Sequence, residues 1–215
     1  MSLILAIKTR FGIVMASDSR TSDAKTMKPI LSMPVYKTIL CPNGCGISMC
    51  GSGRYKKELI YKSVESFVQK TIKKKTPVSL VPNLLIQHFS EPENNFLTEF
   101  LVAGYEYDSL NLKQLIYHIK IVEDAEPETV NFHETGKSVI MCGTNNVMKQ
   151  LVELQPSTLR VENFTLDVAV DFAKFAIETT EKMLRFQGEE QFVGGPIDIL
   201  VITPTEKFWA QRKIL

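Results

Sequence analysis

The sequence predicts an α+β fold in which two sheets pack face to face with helices outside them. Three observations carry this expectation. Strand-like segments, two helical periods, more strands, two further helices and a closing strand pair follow one another without the regular βαβα alternation of a doubly wound sheet. The strand segments near the start are almost continuously apolar, which suits burial on both faces. The helical segments are amphipathic, so each offers one face to cover a sheet.

Residues 3–9 and 13–18 form two apolar runs around an Arg10-Phe11-Gly12 turn. After a polar stretch at 19–28, strands at 35–40 and 46–50 flank the turn residues Pro42-Asn43-Gly44. The period then changes. Ile60, Val64, Phe67, Val68 and Ile72 share one helical face, and Lys56, Lys57, Lys62, Lys70 and Lys73 mark the other as a solvated face. The basic run Lys73-Lys74-Lys75 suits a helix C-terminus. A second helix over 79–89 accepts Pro82 in its first turn and aligns Leu80, Leu84, Leu85 and His88. Strands return at 97–107, 113–122, 129–133 and 138–142, and a helix follows over 145–155. A long helix over 165–186 carries Val168, Phe172, Phe175, Ala176, Thr179, Met183 and Phe186 in one stripe, with Gly188 to stop it. Strands at 197–203 and 207–213 close the chain around Pro204-Thr205-Glu206. No internal repeat, low-complexity tract or linker interrupts this order, so residues 1–215 are expected to form a single domain.

Composition excludes several function classes. With 25 basic and 24 acidic residues the formal charge is +1, which leaves no whole basic face for a nucleic acid. No apolar run approaches the roughly 20 residues that cross a bilayer, and the first residues lack the basic and apolar regions of a signal peptide. A soluble, cytoplasmic protein without a membrane partner is expected. The four cysteines, Cys41, Cys45, Cys50 and Cys142, are too few for a disulfide framework and are expected as free thiols. Cys41-x3-Cys45-x4-Cys50 lacks a fourth ligand at finger spacing, so no metal is expected. Gly51-Ser52-Gly53 is not a phosphate-binding loop, and no organic cofactor is expected. There is no G-x-S-x-G elbow and no H-E-x-x-H. His88, His118 and His133 lie on separate elements, so a hydrolase built on this chain works without histidine.

The amino terminus supplies another route. Serine at position 2 permits removal of Met1, which leaves an α-amine and a hydroxyl on one residue, directly before a buried strand. An α-amine titrates near about 7.7 to 8.0, so it serves as general base for the hydroxyl beside it. Asp18 and Lys37 are charges at the ends of apolar strands, costly alone and tolerable as a pair. Meeting beneath Ser2, the Lys37 ammonium favours the ionised hydroxyl while Asp18 keeps the lysine charged. Gly51, after Cys50 at a strand end, offers a backbone N–H to an oxyanion, aided by the helix that follows. A structural ion pair and an ordinary turn glycine are the alternative reading.

These residues carry a resemblance. Ser2 before a buried strand, Gly12-Ile13-Val14-Met15-Ala16-Ser17-Asp18-Ser19-Arg20, Tyr36-Lys37-Thr38-Ile39, Met49-Cys50-Gly51-Ser52-Gly53, Val102-Ala103-Gly104-Tyr105 and Val193-Gly194-Gly195-Pro196-Ile197-Asp198 together resemble the proteasome β-subunit and its bacterial relatives of the HslV and Anbu type. The resemblance implies an N-terminal nucleophile hydrolase fold, a four-layer αββα sandwich of two antiparallel sheets, assembled into rings. It implies Ser2 as nucleophile in place of threonine, Asp18 and Lys37 as the charged pair, Gly51 as the oxyanion glycine, and Thr144 where relatives carry a serine that supports the terminal amine. Thr21 and Ser22 fall on the stretch that in relatives pairs with a substrate backbone.

The chain departs from the pattern in places. The segment between Asp18 and Lys37 is longer than usual, which makes Lys28 a competitor for the lysine role. Before Gly194-Gly195 the amine-supporting Asp and Ser of proteasomes are replaced by the run Glu189-Glu190-Gln191-Phe192-Val193; Glu190 is a candidate substitute, and Val193 donates no side-chain hydrogen bond. The function implied is a threonine-protease-like peptidase in a homo-oligomeric ring, acting on a peptide or protein substrate through Ser2 and leaving room for an ATPase partner. The alternatives are a catalytically silent ring subunit and a hydrolase of a small amide.

Overall fold

Leu3, Ile4, Leu5, Ala6 and Ile7 are all completely buried, and the direction in which each points sets the layering. Leu3, Leu5 and Ile7 pack into one apolar cluster while Ile4 and Ala6 pack into another. A strand apolar on both faces needs a cover on each side. The computed structural model describes residues 2–22, 29–30, 35–91, 96–123, 125–132, 137–153, 159–188 and 192–214.

The chain opens with β1 (Leu3–Lys8) and β2 (Ile13–Ser17), then the short β3 (Thr21–Ser22) and β4 (Pro29–Ile30), then β5 (Thr38–Leu40) and β6 (Gly46–Gly51). A small hairpin of β7 (Arg54–Tyr55) and β8 (Glu58–Leu59) leads into α1 (Ile60–Thr71), a 3-10 turn at Val78–Leu80 and α2 (Val81–His88). Then come β9 (Leu97–Asp108), β10 (Asn111–Val122), β11 (Glu128–Asn131) and β12 (Val139–Gly143). The chain finishes with α3 (Asn146–Glu153), α4 (Leu166–Phe186), β13 (Asp198–Ile202) and β14 (Lys207–Gln211).

Two five-stranded sheets result, in the orders β12-β1-β2-β13-β14 and β11-β10-β9-β6-β5, and every pairing is antiparallel. Between them lies a layer of Ile4, Ala6, Ile13, Met15, Leu101, Ala103, Ile116 and Leu200. On the far side of the second sheet, α1 and α2 bury Val64, Phe67, Val81 and Leu85 against Ile47, Phe100, Val102 and Ile119. On the far side of the first, α3 and α4 cover Leu3, Leu5, Val14 and Val201. The four-layer αββα sandwich expected from the sequence is therefore present.

Three local expectations are corrected. Lys56 and Lys57 do not extend the α1 face; with φ of 46° and 67° they form the tight turn of the β7–β8 hairpin. Such a turn ordinarily recruits Gly or Asn, so the lysines hid it. Strand geometry at 35–40 is confined to Thr38–Leu40, although the Met49 N–H still donates to the Lys37 carbonyl at 2.8 Å. The third concerns α4. Its buried face is Ala169, Ala173, Ala176, Ile177, Thr180 and Leu184, whereas Val168, Phe175, Met183 and Phe186 are 43%, 50%, 38% and 78% exposed. Alanines let the helix axis approach β2 closely, so the small residues mark the core side and the large ones face outward. The order of stabilities follows: Ala173→Leu overpacks this seam and costs about 1 to 3 kcal/mol, whereas Phe175→Ser stays within about 0.5 kcal/mol. Urea unfolding of the two variants checks this, and the reverse order would contradict the assignment of the buried face.

Candidate active site

Ser2 sits at the mouth of β1, only 6% exposed. Its position is fixed from behind. The Thr144 N–H donates to the Ser2 carbonyl at 2.7 Å, and Gly143 closes β12 against it with φ +82°. A Cβ at Gly143 would lie 2.0 Å from that carbonyl oxygen, so only glycine allows the approach.

In front of Ser2 stands a buried cation. Lys37 Nζ donates to Ser2 Oγ at 2.7 Å, to Asp18 Oδ1 at 2.9 Å and to the Arg20 carbonyl at 2.6 Å. All three ammonium hydrogens therefore have acceptors, which is what a buried lysine requires. Asp18, completely buried, also accepts from the N–H of Leu3 at 3.1 Å, of Arg20 at 3.1 Å and of Gly194 at 3.2 Å. The carboxylate thus joins the start of β1, the end of β2 and the loop before β13. The sequence expectation that Ser2, Asp18 and Lys37 meet is met in the geometry. Lys28, the competitor, and Glu190 lie outside the described residues, as does His133.

The remaining predicted residues surround this group. Thr144 Oγ1 is buried and finds no hydrogen-bond partner among the described residues, and the same holds for Ser19 Oγ beside Asp18 and Thr98 Oγ1 beside Gly51. Buried hydroxyls left unpaired are uncommon in folded proteins. Gly51 ends β6 at an exposed rim with φ +114°, and a Cβ there would meet the Leu97 carbonyl oxygen at 2.2 Å. The helix expected directly after it is displaced: the β7–β8 hairpin intervenes, and α1 begins at Ile60. Thr21 and Ser22 form β3, paired with β4. Val193 is buried and contributes its carbonyl, which accepts from Arg20 Nη1 at 2.8 Å.

Sequence reasoning missed two supporting pairs. Arg20 reaches Glu181 on α4 at 2.9 Å, tying the segment after Asp18 to the helix layer. Lys213 and Asp198 form a second buried ion pair at 2.5 Å, with Tyr36 stacked beneath the Arg212 guanidinium. An aspartate inside the apolar run Ile197-Asp198-Ile199 was the available signal; nothing local pointed to Lys213. Burial pulls the Lys213 ammonium below its ordinary range, opposed by Asp198. Burial, with Glu99 adding to it, pushes the Cys50 thiol up despite Lys37 nearby. His88 is a core-edge side chain held toward its neutral form by burial and bonded to Ser63 Oγ at 3.1 Å.

No family model matches the chain, and no curated protein matches it. Solved structures do. Over 99% of its length the chain superposes on 88% of a Gly-1 mutant of Anbu from Hyphomicrobium sp. strain MC1, with TM-score 0.65 and 14% identity. Anbu from Yersinia bercovieri, described as an ancestral β-subunit, gives TM-score 0.63 and 12% identity over 99% of this chain and 88% of that one. A second Anbu structure from the Hyphomicrobium strain gives 0.61 and 15% over 98% and 88%. The chain has the Anbu fold. In this Anbu-like sandwich the buried pair is the costly element, since removing one partner strands the other charge. Asp18→Asn is expected to lose about 3 to 5 kcal/mol, and adding Lys37→Met to recover part of that loss. Denaturant titration of the single and double variants decides; a neutral Asp18→Asn would contradict the role given to the pair.

Proposed function

We propose that the chain is an N-terminal nucleophile hydrolase that cleaves peptide bonds through Ser2 once Met1 is removed. The observation that carries this reading is the 2.7 Å contact between Lys37 Nζ and Ser2 Oγ, with the ammonium held by Asp18 away from solvent. In such a setting a nearby cation stabilises charge developing on the hydroxyl oxygen far more than it would in water.

The steps use only this chain's groups, the substrate and water. Ser2 Oγ attacks the carbonyl carbon and its proton passes to the α-amine. The resulting oxyanion accepts from the Gly51 N–H. Collapse breaks the C–N bond, the leaving amine takes the proton from the α-ammonium, and an ester on Ser2 remains. Water then attacks the ester, the amine accepts its proton, and return of that proton to Oγ frees the acid. Thr144 Oγ1 supports the amine in this scheme, and its lack of a partner among the described residues is in keeping with that task. Assembly into a homo-oligomeric ring is part of the proposal; the exposed Val168, Phe175, Met183 and Phe186 on α4 favour association with further copies.

A second reading is a catalytically silent subunit of such an assembly. The observation that favours it is Val193, whose side chain is buried but offers no hydrogen bond where relatives buttress the amine.

A panel of fluorogenic peptides and small amides separates these readings. Turnover that disappears in Ser2→Ala and falls by about 10² to 10⁴ in Lys37→Ala supports the nucleophile. Turnover unchanged in Ser2→Ala overturns it, and absence of turnover across the panel with no covalent adduct leaves the silent subunit. In an active protein, Thr144→Val is expected to lower the rate without destabilising the fold in denaturant unfolding, since the buried hydroxyl it removes has no partner among the described residues.

A further inference from the structure

Beside the apolar layer between the two sheets, polar side chains enter from the second sheet. With Cys142 they make a group of three side chains that each offer a metal-ligating atom. Glu99 on β9 and His118 on β10 are diagonal neighbours in the ladder, where Glu99 faces Lys120 and His118 faces Leu101. Both project toward the first sheet, whose β12 presents Cys142 from across the gap. A Glu99 carboxylate oxygen, a His118 ring nitrogen and Cys142 Sγ all lie within 4.8 Å of one another.

We propose that Glu99, His118 and Cys142 form a binding site for a thiophilic divalent cation of the zinc class. One thiolate, one imidazole and one carboxylate is a donor set that zinc accepts, at about 2.3 Å to sulfur and 2.0 to 2.2 Å to nitrogen and oxygen. Around a tetrahedral ion those lengths place the donors roughly 3.3 to 3.6 Å apart. The present Glu99–His118 contact of 2.7 Å must open modestly to reach that spacing. Cys142 is 2% exposed, but the Glu99 and His118 side chains each keep 21% exposure and line a cavity of about 590 Å³. That cavity gives the ion a way in and leaves the fourth coordination position to water. Binding displaces the Cys142 thiol proton to solvent. It also requires the His118 proton to sit on Nδ1, so that Nε2 can ligate.

The expectation of no metal rests on the Cys41-x3-Cys45-x4-Cys50 spacing, which does lack a fourth ligand. These donors come from three strands of two sheets, and no local spacing brings them together. An ion here would also brace the sheets behind Ser2, since Cys142 directly precedes Gly143. The site stands whether or not Ser2 is a nucleophile.

Cobalt titration of the reduced full-length protein tests it. One equivalent is expected to bind with tetrahedral visible bands and a thiolate-to-cobalt charge-transfer band, both abolished by zinc. Cys142→Ser is expected to remove the charge-transfer band, and Glu99→Gln or His118→Gln to weaken binding about a hundredfold or more. Cys41→Ser should leave the spectrum unchanged, with circular dichroism reporting that each variant is folded. Absence of the thiolate band in the unmodified protein overturns the site without reference to any variant, as does its persistence in Cys142→Ser or its loss in Cys41→Ser.

Discussion

The structure is organised around one buried ion pair. Asp18 and Lys37 lie within the sandwich at full or nearly full burial, where a lone charge would cost several kcal/mol. Their mutual contact does not offset that cost alone. Backbone donors from Leu3, Arg20 and Gly194 complete the carboxylate, and Ser2 Oγ and the Arg20 carbonyl complete the ammonium. Remove any of these and the chain near Ser2 loses an anchor. The amino-terminal residue is consequently held in place by the same contacts that make its hydroxyl a candidate reagent.

That coupling explains why the first strands tolerate so little polarity elsewhere. β1 and β2 are apolar on both faces because each lies between a helix layer and a second sheet, so their charges are confined to the ends. Lys8 sits at one end of β1 and Asp18 follows the other end of β2, beside Ser2. The sandwich delivers the polar groups of several strand ends to one rim, and the candidate active site occupies that rim.

Much of this was legible in the sequence, and for physical reasons. Continuously apolar runs marked the first strands, and a lone charge at the end of an apolar run marked Asp18 and Lys37. Other features were illegible because they depend on approach distances. Helix α4 hides its buried face under alanines, so hydrophobic size pointed to the exposed side. Two lysines at positive φ concealed the β7–β8 hairpin and, with it, the separation of Gly51 from α1. The Arg20–Glu181 and Asp198–Lys213 pairs and the Glu99, His118 and Cys142 cluster join residues far apart in the chain, and only folding brings them within reach of one another.

The central claim is that this hydroxyl, beside this cation, becomes reactive once its own backbone nitrogen is uncovered. Intact and peptide mass analysis of natively expressed protein, before and after exposure to a β-lactone, tests it most directly. The expected result is a chain lacking Met1 that gains one acyl group on Ser2, with no adduct on the Lys37→Ala variant. A protein that cleaves amides while retaining Met1, or that is acylated elsewhere, would contradict it.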